Sequence, residues 1–403
     1  MKKMLFVCLL LFAQSVLCEE QKLHTIYHDS DYSNHRASAD AMRMGLATAL
    51  AEVDNTIQGY TIKIIANDHR GNSFRSKLAM QQYLNDDKAL FMLGGLHSPP
   101  YIKFRDYIND NQILLLVPWA AGGPITRHQA AENWVFRLSI DDTKAGDTIM
   151  EYAANQSCKQ PHLLLEDTPW GKSNFKTMSK ASVTRFQAEA EVTWYDWNIN
   201  QNAATALIRP ILASDADCLI FVGNAIEGSK LFKIIDALNN KDDLKLLSHW
   251  GITGGNFEAA VPHAIRQRLN LNVLQTCINF NSKNLPKRYD AVFSLAKSLF
   301  PEQLSEPGKM QSQAGFIHAY DLGKLVITAL DSITLSGDIR EDRNQLRLAL
   351  ENINSPVEGL LKTYTKPFTQ WSSENSDAHE ALDKDDFCLA SYDTDDRLII
   401  NND

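Results

Sequence analysis

Few segments of this chain carry residue types that could do chemistry, and most fail on spacing. DTPWGKS (Asp167–Ser173) falls between an apolar run and a helical pattern, where a phosphate-cradling loop would lie. That loop needs a glycine five positions before Gly171; Glu166 stands there, and its carboxylate would repel phosphate. Ser98, in GGLHSPP, lacks the G-x-S-x-G flanks of a strained nucleophile turn. There is no H-E-x-x-H motif, and His24 and His28, four apart, fall on an expected strand rather than a helix, so no metal site is expected. No nucleophile–base pair emerges, and neither catalysis nor a cofactor is expected.

A second set of residues is notable for position. GGLHSPP (94–100), PWAAGGP (118–124), EDTPWG (166–171), VGNAIEG (222–228) and SHWGITGG (248–255) each follow an apolar run. In open α/β sheets ligands bind beyond the carboxyl ends of strands, where glycine-rich turns expose backbone N–H groups. Three of these turns carry a tryptophan: Trp119, Trp170 and Trp250. Indoles beside glycine or alanine at such ends suit a flat or apolar ligand, and these three are expected to face one as a set; lobe packing is the competing role.

The elements that must hold these turns alternate. Strands are expected at Leu23–His28, Thr61–Ala66, Ala89–Leu96 and Ile113–Val117, with helices at Ser38–Val53, Ser73–Leu84 and Tyr101–Asn109 between them. The rhythm restarts with strands at His162–Asp167, Glu191–Trp197, Cys218–Gly223 and Leu244–Trp250, and helices at Asn174–Phe186, Ala203–Leu212 and Gly228–Leu238. Such alternation makes βαβ units in a parallel sheet, and its repetition makes two similar lobes. After Asn270 come a strand (Leu271–Phe280), two long helices (Arg288–Leu299, Gly315–Leu335), a further helix from about Arg340, and hairpins in GLLKTYTKPF and DFCLASYDTDDRLII. The expected division is a leader at 1–18, a first lobe of 19–142 plus 271–337, and a second lobe of 143–270 plus 338–403, with more than one crossing between lobes.

The chain has 403 residues, 44% hydrophobic, with net charge −9. The apolar share supports a packed core, and the acidic balance argues against nucleic acid as a partner. MKKMLFVCLLLFAQSVLC opens with two lysines followed by ten apolar residues, the pattern of an export leader cut after Ser15 or Cys18. A lipid anchor at Cys18 is not expected, because Leu17 stands where a small residue is usual. Cys158, Cys218, Cys277 and Cys388 are scattered and contain no C-x-x-C; one disulfide is possible, but buried free thiols are expected.

Taken in order, Met44-Gly45…Ala49-Leu50-Ala51-Glu52-Val53, TIKIIANDHRGNS, FMLGGLHSPP, ILLLVPWAAGGPITR, FRLSIDDTKAG, EDTPWGKSN and GFIHAYDLGKLVITAL resemble the type I periplasmic binding proteins. The resemblance is nearest to their leucine/isoleucine/valine- and amide-binding branch and covers almost the whole mature chain. It implies an α/β fold of two Rossmann-like lobes with parallel sheets joined by three hinge strands, closing on a ligand. It further implies that Ser98 and the backbone of Ala120, Ala121 and Gly122 hold a ligand carboxylate, that Trp170 covers the ligand from the second lobe, and that Asn224 lies near another covering position. Trp250 falls where amino-acid binders place the acid that pairs with an α-ammonium, with Asp141, Asp142 or Glu227 as substitutes. The expected function is capture of a small amino-acid-like, amide or aromatic compound in the periplasm and delivery to an ABC-type membrane permease, one copy sufficing. A sensor presenting its ligand state to a membrane receptor or signalling enzyme is the alternative, and an exported hydrolase the second.

Overall fold

The computed structural model describes residues 22–239 and 244–401, so the leader expected at 1–18 lies outside the described residues. β1 (Leu23–Ser30), β2 (Thr56–Ile57), β3 (Tyr60–Asp68), β4 (Ala89–Gly94), β5 (Leu115–Val117) and β6 (Val135–Arg137) form a first sheet in the order β2-β3-β1-β4-β5-β6. All its pairings are parallel except that of the short β2. β4 reads ALFMLG and is buried along its whole length, as a strand covered by helices on both faces must be. β7 (Pro161–Glu166), β8 (Glu191–Tyr195), β9 (Cys218–Val222), β10 (Lys245–Ser248) and β11 (Leu271–Thr276) belong to a second sheet. β12 (Val357–Glu358) and β13 (Thr363–Tyr364) pair with each other, and β14 (Phe387–Tyr392) with β15 (Leu398–Ile400). The second sheet runs β15-β14-β11-β10-β9-β7-β8, antiparallel at its β15 and β14 end. Two α/β lobes result, as the alternation implied.

The expected lobe boundaries need correction. β11 is a parallel neighbour of β10 and belongs to the second lobe, not the first. The helix Ile339–Leu350 packs on the helix Gln313–Asp331 and on β4, and Arg343 Nε donates to Ala89 O at 2.6 Å, so it belongs to the first lobe. Periodicity identifies a strand or helix but not its neighbour; the pairing partner decides the lobe. The described chain therefore crosses between lobes at 138–141, 276–279 and 380–386. Arg137 N donates to His379 O and Ala381 N to Arg137 O, tying the first crossing to the third.

The expectation of free thiols is also overturned. Cys158 pairs with Cys218, and Cys277 with Cys388, with Cα–Cα distances of 5.8 and 4.9 Å. Both pairs link strand ends or neighbouring strands, so the sheet had already brought the residues within reach.

Candidate functional site

The expected site residues stand at the carboxyl ends of β4, β5, β7, β9 and β10. In the first lobe Ser98 opens the helix Pro99–Lys103, and its Oγ accepts from Gly122 N at 3.0 Å, leaving the hydroxyl proton free to donate. The Ala120–Gly122 turn is held from behind: Arg137 Nη1 donates to Gly122 O (2.8 Å) and Ala120 O (3.3 Å). Arg137 is fully buried and is neutralised by Glu380 (2.6 Å) and Asp141 (2.7 Å). Burial works against its charge, but these two carboxylates outweigh it and raise its pKa.

In the second lobe Thr168 caps the helix Pro169–Phe186, accepting from Gly171 N, and Pro169 occupies the first turn, where it costs no hydrogen bond. That start projects Trp170 onto Asp142, to which its Nε1 donates at 3.1 Å. Asp142 N in turn donates to Ala121 O at 2.9 Å, so Asp142 joins the first-lobe turn to the second-lobe indole. His249 meets Trp170 edge to face at 5.2 Å. Gly251 lies under both Trp170 and Asn224: a Cβ there would come within 2.7 Å of the indole and 3.1 Å of Asn224 Oδ1. The lobes touch directly where Gly123 N donates to Ser173 Oγ at 3.1 Å.

Several polar atoms in this contact zone lack a partner. Asp142 Oδ2 and both ring nitrogens of His249 are buried and unsatisfied; His249 Nε2 stands 3.2 Å from Asp142 Oδ1, but not in hydrogen-bond geometry. Glu166, at the end of β7, is fully buried. Burial above all, with Glu227 and Asp142 adding to it, pushes its carboxyl up to about 8 against the opposing bonds from Thr168 and Trp197.

Ser98, Ala120, Ala121, Gly122, Trp170 and Asn224 are thus brought into one contiguous zone. Trp119 and Trp250 are not arranged as expected. Their rings stack on each other at 4.8 Å, each 1% exposed, and Trp119 also lies against Gly315. These two indoles pack lobe on lobe, leaving Trp170 as the indole of the expected three set among polar groups. Of the substitute acids, Asp141 is engaged by Arg127 and Arg137, and Glu227 accepts from Asn198 N, whereas Asp142 keeps a free oxygen. His249 and Arg137 lie within SHWGITGG and FRLSIDDTKAG, but nothing local to those strings gives either a role, since their partners come from distant segments. A cavity of about 240 Å³ beside the second crossing, lined by Gln275, Asn279, Lys309 and Arg397, contains none of the expected residues.

Two α/β lobes, crossed three times by the chain and bringing polar groups from both together, define a bilobal α/β class of protein. A family model described as periplasmic binding protein matches residues 29–366, and the chain belongs to that family. Among solved structures it is similar to a type 1 periplasmic binding protein from Bordetella pertussis Tohama I (TM-score 0.76, 15% identity, 94% of this chain and 100% of that one). It is also similar to a possible leucine/isoleucine/valine-binding protein from Rhodopirellula baltica SH 1 (TM-score 0.73, 16% identity, 93% and 95%). A third similar structure is an ABC-transporter solute-binding protein from R. palustris, solved with benzoate (TM-score 0.72, 14% identity, 94% and 95%). No curated protein sequence matches this chain.

Proposed function

We propose that this protein traps a small organic solute between its lobes in the periplasm and delivers it to an ABC-type membrane permease. The observation that carries the proposal is the set of buried, unsatisfied polar atoms on Asp142 and His249, neighbours of each other, with Asp142 joined through its N–H to Ala121 O of the Ser98–Gly122 turn. Buried polar groups are ordinarily satisfied, so a cluster of orphans between two lobes marks where a polar ligand supplies the missing bonds. The free Ser98 hydroxyl proton suits a carboxylate or carbonyl, and Asp142 suits an ammonium or amide N–H, taking the role that Trp250 cannot fill. An amino-acid-like or amide solute has both ends, and Trp170 supplies an apolar wall. The benzoate complex and the possible leucine/isoleucine/valine-binding protein of the same fold support a solute of this size. The paired cysteines suit an oxidising compartment.

Calorimetric titration with a panel of amino acids, amides and aromatic carboxylates tests the assignment. A hydrogen bond to a charged group is worth ~1.5–3 kcal/mol, so Asp142→Asn and Ser98→Ala should each weaken the best binder by about one to two decades. Panel-wide silence, or a binder indifferent to both substitutions, would overturn it. Delivery is tested by adding the liganded protein to a reconstituted permease and measuring its ATPase rate. Stimulation of a signalling enzyme in its place would reassign the partner to a sensor.

A further inference from the structure

Three donor side chains from two segments of the first lobe, 31–35 and the turn at His97, converge beside, but outside, the zone assigned to the solute. Asp31 follows β1, His35 caps the helix Arg36–Ala51, and His97 lies in the turn after β4, so all three stand at the carboxyl edge of the first sheet. All are buried, and one donor atom of each lies within 4.8 Å of the others.

The distances are informative. His35 Nδ1 and His97 Nε2 stand 3.4 and 3.3 Å from the same oxygen, Asp31 Oδ2. Hydrogen bonds assisted by charge close to about 2.7–2.9 Å, so both contacts are slack. They match another geometry: with metal–ligand bonds of about 2.0–2.1 Å, two donors on a tetrahedral cation stand roughly 3.3–3.4 Å apart. Charge points the same way. The Asp31 carboxylate is buried and, among the described residues, is met only by the His35 and His97 rings and by Asn34. No lysine or arginine is among its partners within the described residues. A buried charge is ordinarily paired with an opposite charge or placed on a metal.

We propose that Asp31, His35 and His97 form a binding site for a divalent transition cation of the zinc class, seated at the first-lobe rim of the cleft. On entry of the cation each imidazole turns the nitrogen now facing Asp31 into a ligand. The ring proton moves to the other nitrogen, which in His35 is Nε2, a buried atom with no present partner, so no net proton is released. The three side chains leave the fourth position of a tetrahedron to water or to a donor atom of a solute. The second lobe roofs the site: Trp197 lies 5.1 Å from the His97 ring. Gly71, at φ +68°, fits between, where a Cβ would come within 3.5 Å of Asp31 Oδ2 and 3.6 Å of Trp197. The cation therefore enters when the lobes part and is covered when they close.

The test is a titration of the chelator-stripped mature protein with Zn2+ by calorimetry, and with Co2+ by visible absorption, with no solute present. One equivalent should bind, with the visible bands of nitrogen/oxygen-ligated cobalt, and His35→Gln and His97→Gln should each weaken binding by ~100-fold or more. In parallel, 15N-imidazole spectra of the wild-type protein should show Zn2+ moving the rings of two of its eleven histidines. This readout needs no variant to fold. No binding, binding that survives both substitutions, or shifts confined to other histidines would each overturn the site. Because no solute is used, any of these failures leaves the solute-binding assignment untouched.

Discussion

Replacing Glu166 by glutamine should remove a pH dependence that the wild-type fold carries. The side chain is fully buried at the end of β7, where Oε1 accepts from Thr168 Oγ1 at 2.7 Å, and burial pushes its pKa from 4.5 up to about 8. Below about pH 4.5 the group is protonated whether the chain is folded or not, and its contribution to stability is fully present. Between 4.5 and about 8 only the unfolded chain ionises, so stability falls as pH rises; beyond about 8 the folded chain ionises too and the loss has reached its full size. Each pKa unit corresponds to about 1.4 kcal/mol, so the window spans a few kcal/mol. Glutamine keeps the oxygen that accepts from Thr168 and never ionises. The assay is denaturant unfolding of both proteins at a series of pH values, taking the difference so that all other titrating groups cancel. The stability of Glu166→Gln relative to wild type should climb steadily toward pH 8. A difference that stays flat, or that moves in favour of wild type, would refute the assignment of a buried, protonated Glu166.

Trp119→Ala or Trp250→Ala should each cost about 3–5 kcal/mol of stability in thermal or denaturant unfolding, because either leaves a large hole in the stacked pair. Arg137→Met should cost a similar ~3–5 kcal/mol in denaturant unfolding, because it removes the buried partner of Glu380 and leaves Arg127 alone to balance both Glu380 and Asp141; a small effect would mean that Arg127 suffices for the pair. Removing the Cys277–Cys388 link, which spans 111 residues, should cost about 4–5 kcal/mol by the chain-entropy estimate, seen as a lower unfolding midpoint of the double serine variant.

The strand–helix alternation was legible because β4 and β9 are unbroken apolar runs and because Thr168-Pro169 is a helix start with a mechanism. The three-residue strand β6 was not, since Val135–Arg137 is too short to display a period and gains its strand character from β5 and Glu380 beside it. The helix Asp142–Asn155 was missed although Asp141 caps it through Thr143 N. Its neighbourhood read as a motif rather than as a period. The turns that carry Ser98, Ala120–Gly122, Trp170 and Asn224 were found because sheet topology fixes which strand ends meet. Facing partners were not: Trp119 and Trp250 find each other only across the closed lobes, and His35 and His97 only through the pairing of β1 with β4. Nothing local marks a cysteine whose mate lies 60 or 111 residues away.

The Cys277–Cys388 bond sits where β11 and β14, paired side by side, leave the second sheet for the first lobe. It acts as a pin. With these two segments locked, and the third tied to the first through Arg137, His379 and Ala381, no crossing can slide lengthwise past its neighbour. Shear is thereby denied to the lobes, and the freedom that remains is angular, spread over the few backbone torsions of 138–141, 276–279 and 380–386. Opening becomes a swing about one short axis, so that every turn at the strand ends separates along the same arc and returns to the same register. Cutting the pin with a reductant would add a sideways degree of freedom, and repeatable closure would degrade before the fold itself was lost.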